Sequence, residues 1–316
     1  MNPISNILVV VDPTSTIQPA VDKARVLAQR LSARVELYAC ETRAEREARF
    51  VNRATDSTIG DSMNLTTVLE RLAAPLRAHG LDVVTEVGFA ESYSEELVRK
   101  MSRTTAELVV KQTHHHSLLK RTLLTNTDWQ LIRACPVPLL LTKAEVWHQP
   151  PTILAAVDPT HVNDKPALLD NCIMQMASAF SSKLQGELHV LHAFVPTAII
   201  AAAVGVDPPS ALALSESDLE RERGSRLSEI AKMTDEFGVG PAHIHVELGG
   251  PMQCIPQAAK DLRADIVVMG ALSRRGWKRA FIGSTAEDVL EDLASDALII
   301  KPPDFAEALS GLCAPL

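Results

Sequence analysis

The chain has 316 residues, of which 46% are apolar and 22% charged, and its formal net charge is −8 at pH 7. This composition excludes a disordered chain, because enough apolar residues are present to form a core, and the length favours two domains of ordinary size. The negative charge excludes DNA or RNA as the expected partner, since it repels phosphate backbones.

The cysteines and the chain start indicate where the protein resides. Its five cysteines are scattered and form no Cys-x-x-Cys pair, which argues against a disulfide framework or a thiolate metal site and favours a reducing compartment. Residues 1–6 contain no basic stretch typical of a signal peptide. The most apolar run, 195–206, falls short of the ~20 residues that a membrane helix needs. We therefore predict a cytoplasmic protein that does not enter a membrane.

In chain order, the first half shows short apolar runs that alternate with helical patterns. Strands are predicted at 6–11, 34–40, 82–87, 107–110 and 138–142. The runs are almost continuously apolar, which is typical of parallel strands covered by helices on both faces. A helix is predicted between the first two strands, over 18–32.

The second half repeats this organisation. Strands are predicted at 152–157, 187–193, 243–248, 265–269 and 297–300, with a helix over 251–263. Asp-Pro-Thr follows the first strand of each half, at 12–14 and at 158–160, and a Thr-led helix precedes the last strand, at Thr127 and at Thr285. We therefore predict two tandem α/β domains, 1–148 and 149–316, each with a doubly wound, open, parallel five-stranded sheet.

Ligands of such sheets bind beyond the carboxyl ends of the strands, where the strand order reverses. Asp12 and Asp158 lie at these ends, where a carboxylate can accept hydrogen bonds from a sugar or an amine. An Asx turn or a helix N-cap explains each aspartate equally well. The position at the strand end slightly favours the ligand-binding interpretation.

A stronger signal follows the fourth strand of the second half. Gly270 ends that strand, and Gly283, Ser284 and Thr285 open the next helix, whose N-terminus can bind an anion. Four basic residues of the intervening loop either attract phosphate or are simply solvated; they are Arg274, Arg275, Lys278 and Arg279.

These features resemble the universal stress protein family, in particular its tandem bacterial members, over both halves of the chain. Nucleotide-binding members carry Gly, two residues, Gly, nine residues, Gly and then Ser or Thr after the fourth strand. Gly270, Gly283 and Ser284 match this pattern, whereas Ser273 replaces the second glycine. A serine there adds strain if the position requires positive φ.

The resemblance implies a strand order of 3-2-1-4-5 in each half and packing of the halves through their fifth strands. It also implies a second-half pocket for ATP or another adenine nucleotide with Mg²⁺. The implied binding residues are Asp158, Ala193, Gly270, Ser273, Gly283, Ser284 and Thr285. In the first half the four pattern positions are Gln112, His115, Thr125 and Asn126, so we predict no family-type ATP binding there.

Catalytic and metal-binding residues are not predicted. The sequence contains no phosphate-loop, nucleophile-elbow or His-Glu-x-x-His motif, which favours a non-enzymatic protein, with weak ATPase activity left open. Adjacent imidazoles at His114, His115 and His116 point in different directions, so a solvated polar loop is favoured over a metal site.

Three functional interpretations remain open. The first is a stress-response protein with a nucleotide pocket in the second half. The second is a carrier or sensor of an amphipathic, acyl or lipid-like ligand, whose tail lies under the apolar segment 194–214. That segment is otherwise a packed connection. The third is a structural adaptor without a ligand, acting only through protein partners. Under all three interpretations the chain is expected to form an intramolecular pseudo-dimer, with further dimerisation left open.

Overall fold

A computed structural model describes the fold of most of the chain. The described residues are 3–43, 64–116, 121–159, 168–203, 215–271, 284–302 and 305.

The first half contains a parallel sheet, its covering helices and a small hairpin. The strands are β1 (Asn6–Val10), β2 (Arg34–Thr42), β3 (Val83–Ala90), β4 (Leu108–Gln112), β5 (His114–His116), β6 (Arg121–Leu123) and β7 (Leu139–Thr142). The helices are α1 (Pro19–Leu31), α2 (Leu65–Ala78), α3 (Tyr93–Arg103) and α4 (Asn126–Ala134).

The second half repeats the parallel sheet and its helices. The strands are β8 (Thr152–Ala156), β9 (Glu187–Phe194), β10 (Ile244–Leu248), β11 (Ile266–Gly270) and β12 (Asp296–Ile300). The helices are α5 (Leu169–Leu184), α6 (Thr197–Ala203), α7 (Glu216–Thr234), α8 (Pro251–Asp261) and α9 (Ser284–Asp292). A 3₁₀ turn, Pro241–His243, precedes β10.

The two halves share one ten-stranded sheet. Its order is β10-β9-β8-β11-β12-β7-β4-β1-β2-β3, so each half has the strand order 3-2-1-4-5. Neighbours within a half are parallel, whereas β12 and β7 pair antiparallel, with Leu298 opposite Leu140. The predicted fold class and the predicted meeting of the halves at their fifth strands are both confirmed.

Two apolar layers cover the faces of this sheet. Helices α1, α2, α5 and α7 contribute to one layer, through residues such as Leu27 and Ile173. Helices α3, α4, α8 and α9 contribute to the other, through residues such as Leu97 and Val289. Burial on both faces explains why the inner strands are apolar without alternation.

The predicted strands agree with the observed ones to within three residues at each end, but one small element was missed. The expectation of a polar loop at His114–His116 is wrong for the backbone, because these residues form β5 and pair antiparallel with β6. The partner strand, Arg-Thr-Leu, has only one apolar residue, so no apolar pattern in the sequence marks the pairing. Of the apolar segment 194–214, the structure describes β9's last residue and α6, while 204–214 lies outside the described residues.

Buried lysines cross the seam between the halves in both directions. The Lys143 ammonium, just after β7, donates to the carbonyl of Leu293, which follows α9. The Lys301 ammonium, just after β12, donates to the carbonyl of Ile132 in α4. Each half therefore anchors its last strand to the other half.

We expect Lys301 to make the stability of the protein depend on pH. Burial lowers the pKa of Lys301 from 10.5 to about 7. Between these values the unfolded chain binds more protons than the folded protein, so the free energy of unfolding rises with pH. Lys301→Met should remove this slope, which reaches about 1.4 kcal/mol per pH unit.

Urea denaturation at several pH values between 7 and 10 measures this effect as the difference between wild type and variant. The comparison is needed because burial also lowers the pKa of Lys143, to about 8. The pH dependence of stability that Lys143 contributes is present in both proteins and cancels in the difference. Lys260→Met, at an exposed position of α8, is the control and should leave the curve unchanged. Parallel curves for Lys301→Met and wild type would contradict the prediction.

Candidate functional site

The strand ends of the second half place three predicted site residues side by side. Strand β8 lies between β9 and β11, which is the point where the strand order reverses. Val268 of β11 pairs with Ala155 of β8, so Gly270 and Asp158 lie at neighbouring strand ends. Ala193 lies near the end of β9, on the other side of β8. This is the expected position for a ligand of a doubly wound sheet.

The remaining predicted residues belong to the loop and helix after β11. Ser284 and Thr285 are the first two residues of α9, and nothing is described of their side chains. Ser273 and Gly283 lie outside the described residues. Their participation in a site therefore stays a prediction.

Asp158 is buried, with 5% of its surface exposed, and has polar neighbours that sequence reasoning missed. Its backbone N–H donates to Oδ1 of Asp170, in the first turn of α5, over 3.0 Å. Nδ1 of His192 donates to the carbonyl of Val157 over 3.1 Å and lies 4.0 Å from Oδ1 of Asp158. A histidine just before Ala193, near the carboxyl end of β9, was the available signal.

Gly270 has a packing role as well as its position at the strand end. A Cβ atom there would lie 2.6 Å from Cδ2 of Leu169, the buried first residue of α5. Any larger residue would therefore force the Leu169 side chain to shift. Close helix packing is a sufficient reason for this glycine, in addition to room for a ligand.

Asp12, the first-half counterpart of Asp158, is engaged in a local turn. Its Oδ1 accepts hydrogen bonds from the backbone N–H of Thr14 over 2.9 Å and from Oγ1 of Thr14 over 2.6 Å. This is the Asx turn that the sequence left open.

The N-terminus of α4 in the first half is occupied by a carboxylate of the chain itself. Oδ2 of Asp128 accepts from the backbone N–H and the hydroxyl of Thr125, over 2.7 and 2.8 Å. The Thr125 hydroxyl in turn accepts from the Asp128 N–H, which completes a capping box. Oδ1 of Asp128 forms a 2.6 Å ion pair with the ammonium of Lys111. An internal anion therefore already lies where this helix could hold a phosphate.

The second half lacks this internal ion pair. Aligning Thr127 with Thr285 places Met269 at the position of Lys111 and Ala286 at that of Asp128. Met269 and Ala286 are both buried and carry no charge. The two halves thus differ at the helix N-terminus after the fourth strand.

Comparison with known proteins agrees with the duplicated fold. The sequence pattern of the Universal stress protein family matches residues 3–143 and again residues 151–301. The chain belongs to the universal stress protein family. It carries two domains of this family in tandem, and the predicted family is confirmed.

Similarity to other universal stress proteins extends over nearly the whole chain. Universal stress protein E of Escherichia coli (strain K12) is 28% identical over 312 residues, covering 95% of each chain. Universal stress protein E of Photorhabdus laumondii is 27% identical over 305 residues, covering 95% of this chain and 96% of the relative. A crystal structure of a functionally unknown protein from Pseudomonas aeruginosa PAO1 has a TM-score of 0.74 and 27% identity, covering 98% of this chain and 96% of that one.

The helices of this tandem universal stress protein also bear on the membrane prediction. Across the described residues, none combines the length and the apolar character that crossing a bilayer requires.

Proposed function

We propose that this tandem universal stress protein binds an adenine nucleotide in its second domain, while its first domain is structural. The observation that carries the proposal is the difference between the two helix N-termini. In the first domain Asp128 and Lys111 occupy the position, whereas the second domain has Ala286 and Met269 there. A helix N-terminus without a carboxylate at the position of Asp128 leaves room there for a phosphate group.

The surroundings of that helix support a nucleotide as the ligand. Asp158 lies at the switch point, at the strand end next to Gly270, where its carboxylate can accept from a ribose or an adenine amine. Ser273, Gly283, Ser284 and Thr285 would complete the phosphate side, and Ala193 would line the pocket. Mg²⁺ would accompany the phosphates.

The proposed role is binding, in stress sensing or in stabilising the fold, without catalysis. The described site offers carboxylates, an imidazole and a helix N-terminus, and no activated nucleophile has been identified among these residues. Slow hydrolysis of a bound nucleotide is compatible with this role. We further propose a cytoplasmic location and a domain boundary at 148–149, within the stretch 144–150 that the family pattern leaves unmatched.

Mg-ATP is expected to stabilise the wild-type protein, and transplanting the first-half ion pair should abolish this effect. At a hundredfold excess over Kd the gain is about 2.7 kcal/mol. Met269→Lys/Ala286→Asp should remove it, because the new carboxylate competes with the phosphates. The measurement is urea or thermal unfolding with and without Mg-ATP. The charge-matched control, Met252→Lys/Ala231→Asp at exposed positions, should keep the gain.

Ser273→Gly restores the family pattern and tests the same site by gain of affinity, which a misfolded variant cannot mimic. We expect tighter ATP binding than in wild type, because the substitution removes the serine side chain and lets the backbone adopt a positive φ without strain. If Mg-ATP stabilises neither wild type nor Ser273→Gly, the nucleotide proposal is wrong.

A second candidate, an amphipathic ligand, is favoured by helix α6. This helix is uncharged, follows β9 after two residues and exposes 41% of Ile199. Native mass spectrometry of protein purified from cells distinguishes the candidates. A co-purifying mass of lipid size supports the carrier, and a nucleotide mass supports the leading proposal. A chain that co-purifies with no ligand and is not stabilised by ATP supports the structural adaptor.

A further inference from the structure

We propose that the second domain binds a divalent transition-metal ion, such as Zn²⁺, through Glu187, His189 and His243. This metal site lies at the amino end of strands β9 and β10, so it is separate from the nucleotide site at the carboxyl ends. Glu187 is the first residue of β9, His189 is the third, and His243 ends the turn before β10. Sequence reasoning identified none of these residues.

The distances between the candidate ligand atoms are close to those of a metal centre. Nε2 of His189 lies 3.7 Å from Oε2 of Glu187, and Nε2 of His243 lies 3.5 Å from Oε1. One ligand atom from each residue lies within 4.8 Å of the others. Bonds of about 2.0–2.2 Å in a zinc tetrahedron separate ligand atoms by about 3.3–3.5 Å, so closure needs side-chain movements of roughly 1 Å.

His245 supports the orientation of His189. Nδ1 of His189 lies 3.0 Å from Nε2 of His245. When a metal binds Nε2 of His189, Nδ1 carries the proton and donates to His245, which is the outer hydrogen bond common around metal-binding histidines.

The first domain holds a cation of its own on the equivalent face. Leu8 pairs with Glu36 and Leu154 pairs with His189, so Glu36 occupies the position of His189. In the first domain the Lys100 ammonium lies 2.5 Å from Oε1 of Glu36 and 2.8 Å from Oε2 of Glu86. The first domain therefore places a positive charge next to the position that His189 occupies in the second domain.

The second domain has lost that ammonium and gained imidazoles. Lys100 is the eighth residue of α3, and Ala258 is the eighth residue of α8, which has the same length. A cavity of about 430 Å³, lined by residues that include Ala258 and His245, lies between β10 and α8. The strand registers place Glu86 at the position of His245, so the first-domain ammonium lies between the positions of His189 and His245, beside the proposed metal position.

The residue types and their exposure specify the class of ion and its entry path. Two imidazoles and one carboxylate favour Zn²⁺ or a neighbouring transition metal over Mg²⁺ or Ca²⁺, which prefer oxygen ligands. The side chains of Glu187 and His243 are 56% and 36% exposed, whereas that of His189 is 10% exposed. A metal can therefore enter from solvent, with water as its fourth ligand.

Competition between the full-length protein and a chromophoric chelator for Zn²⁺ tests this site. We expect wild type to bind one equivalent that His243→Ala and Glu187→Gln weaken by at least about 100-fold, beyond a typical outer-shell loss. His79→Ala, which removes an exposed histidine of the first domain, is the matched control and should bind as wild type does.

Bound Co²⁺ provides a second readout that reports coordination directly. Wild type and His79→Ala should show the visible absorption of a four-coordinate site, and His243→Ala should not. Circular dichroism checks that each variant is folded. Absence of Zn²⁺ binding by wild type, or unchanged binding by both His243→Ala and Glu187→Gln, would overturn the proposal. Stabilisation by Mg-ATP should be unaffected in these variants, so the two proposals fail independently.

Discussion

Asp128→Ala is expected to lower the free energy of unfolding by about 3–5 kcal/mol, the cost of breaking a buried ion pair. Asp128 is completely buried and the Lys111 side chain is 11% exposed. Without the carboxylate, the Lys111 ammonium remains buried without its counter-ion. The N-terminus of α4 also loses its capping box with Thr125. Urea denaturation measures the loss.

Lys111→Met/Asp128→Ala should recover most of that stability. The second domain has Met269 and Ala286 at these positions, so the fold accepts an apolar pair there. Replacing both members of a buried ion pair by apolar residues is often neutral, and the lost cap costs about 1 kcal/mol. A double variant no more stable than Asp128→Ala would refute this account, and so would a single-variant loss below about 1 kcal/mol.

Asp296→Ala is the second change with a large expected effect, again about 3–5 kcal/mol of unfolding free energy. Asp296 belongs to the second domain and is 2% exposed. Its Oδ1 accepts from the Lys23 ammonium over 2.8 Å and from the Lys143 N–H over 2.7 Å, while Oδ2 accepts from Trp147 over 2.8 Å. All three donors precede the second domain, so this carboxylate holds the two domains together through hydrogen bonds. We call these contacts the Asp296 clamp.

Two further variants sharpen the Asp296 test. Asp296→Asn keeps an acceptor for Lys23 and Lys143 but loses the charge and the bond from Trp147, so an intermediate loss is expected. Asp288→Ala removes an exposed aspartate of α9 and should change stability by no more than about 0.5 kcal/mol. Equal stability of Asp296→Ala and Asp288→Ala in urea denaturation would show that the clamp is unimportant.

Much of the fold could be predicted because its signals are local and repeated. Apolar runs, nearly continuous in the inner strands, indicated each strand of the large sheet, and the repeated Asp-Pro-Thr and Thr-led helix showed that the order of elements occurs twice. The β5–β6 hairpin lacks such a signal, because its two three-residue strands contain a single apolar residue and pair through backbone hydrogen bonds.

The sequence predicted where the candidate nucleotide site lies in the fold, but not which side chains surround its residues. Asp12 and Asp158 end the same kind of strand in similar sequences, yet Asp12 forms an Asx turn and Asp158 is buried beside Asp170 and His192. The pairing of Lys111 with Asp128, and of Gly270 with Leu169, joins residues on separate elements. Only the packing of helix against strand shows these contacts.

The sequence by itself determined that this protein consists of two universal stress protein domains, with a glycine-containing loop retained in the second. Tertiary structure decided what differs between the domains: the filled helix N-terminus, the Asp296 clamp and the cluster of Glu187 with His189 and His243. The pattern of buried residues can be predicted from the sequence, because each helix or strand buries its own apolar residues. Ion pairs and clusters of ligand residues cannot be predicted in this way, since their members come from distant segments that meet only when the sheet assembles.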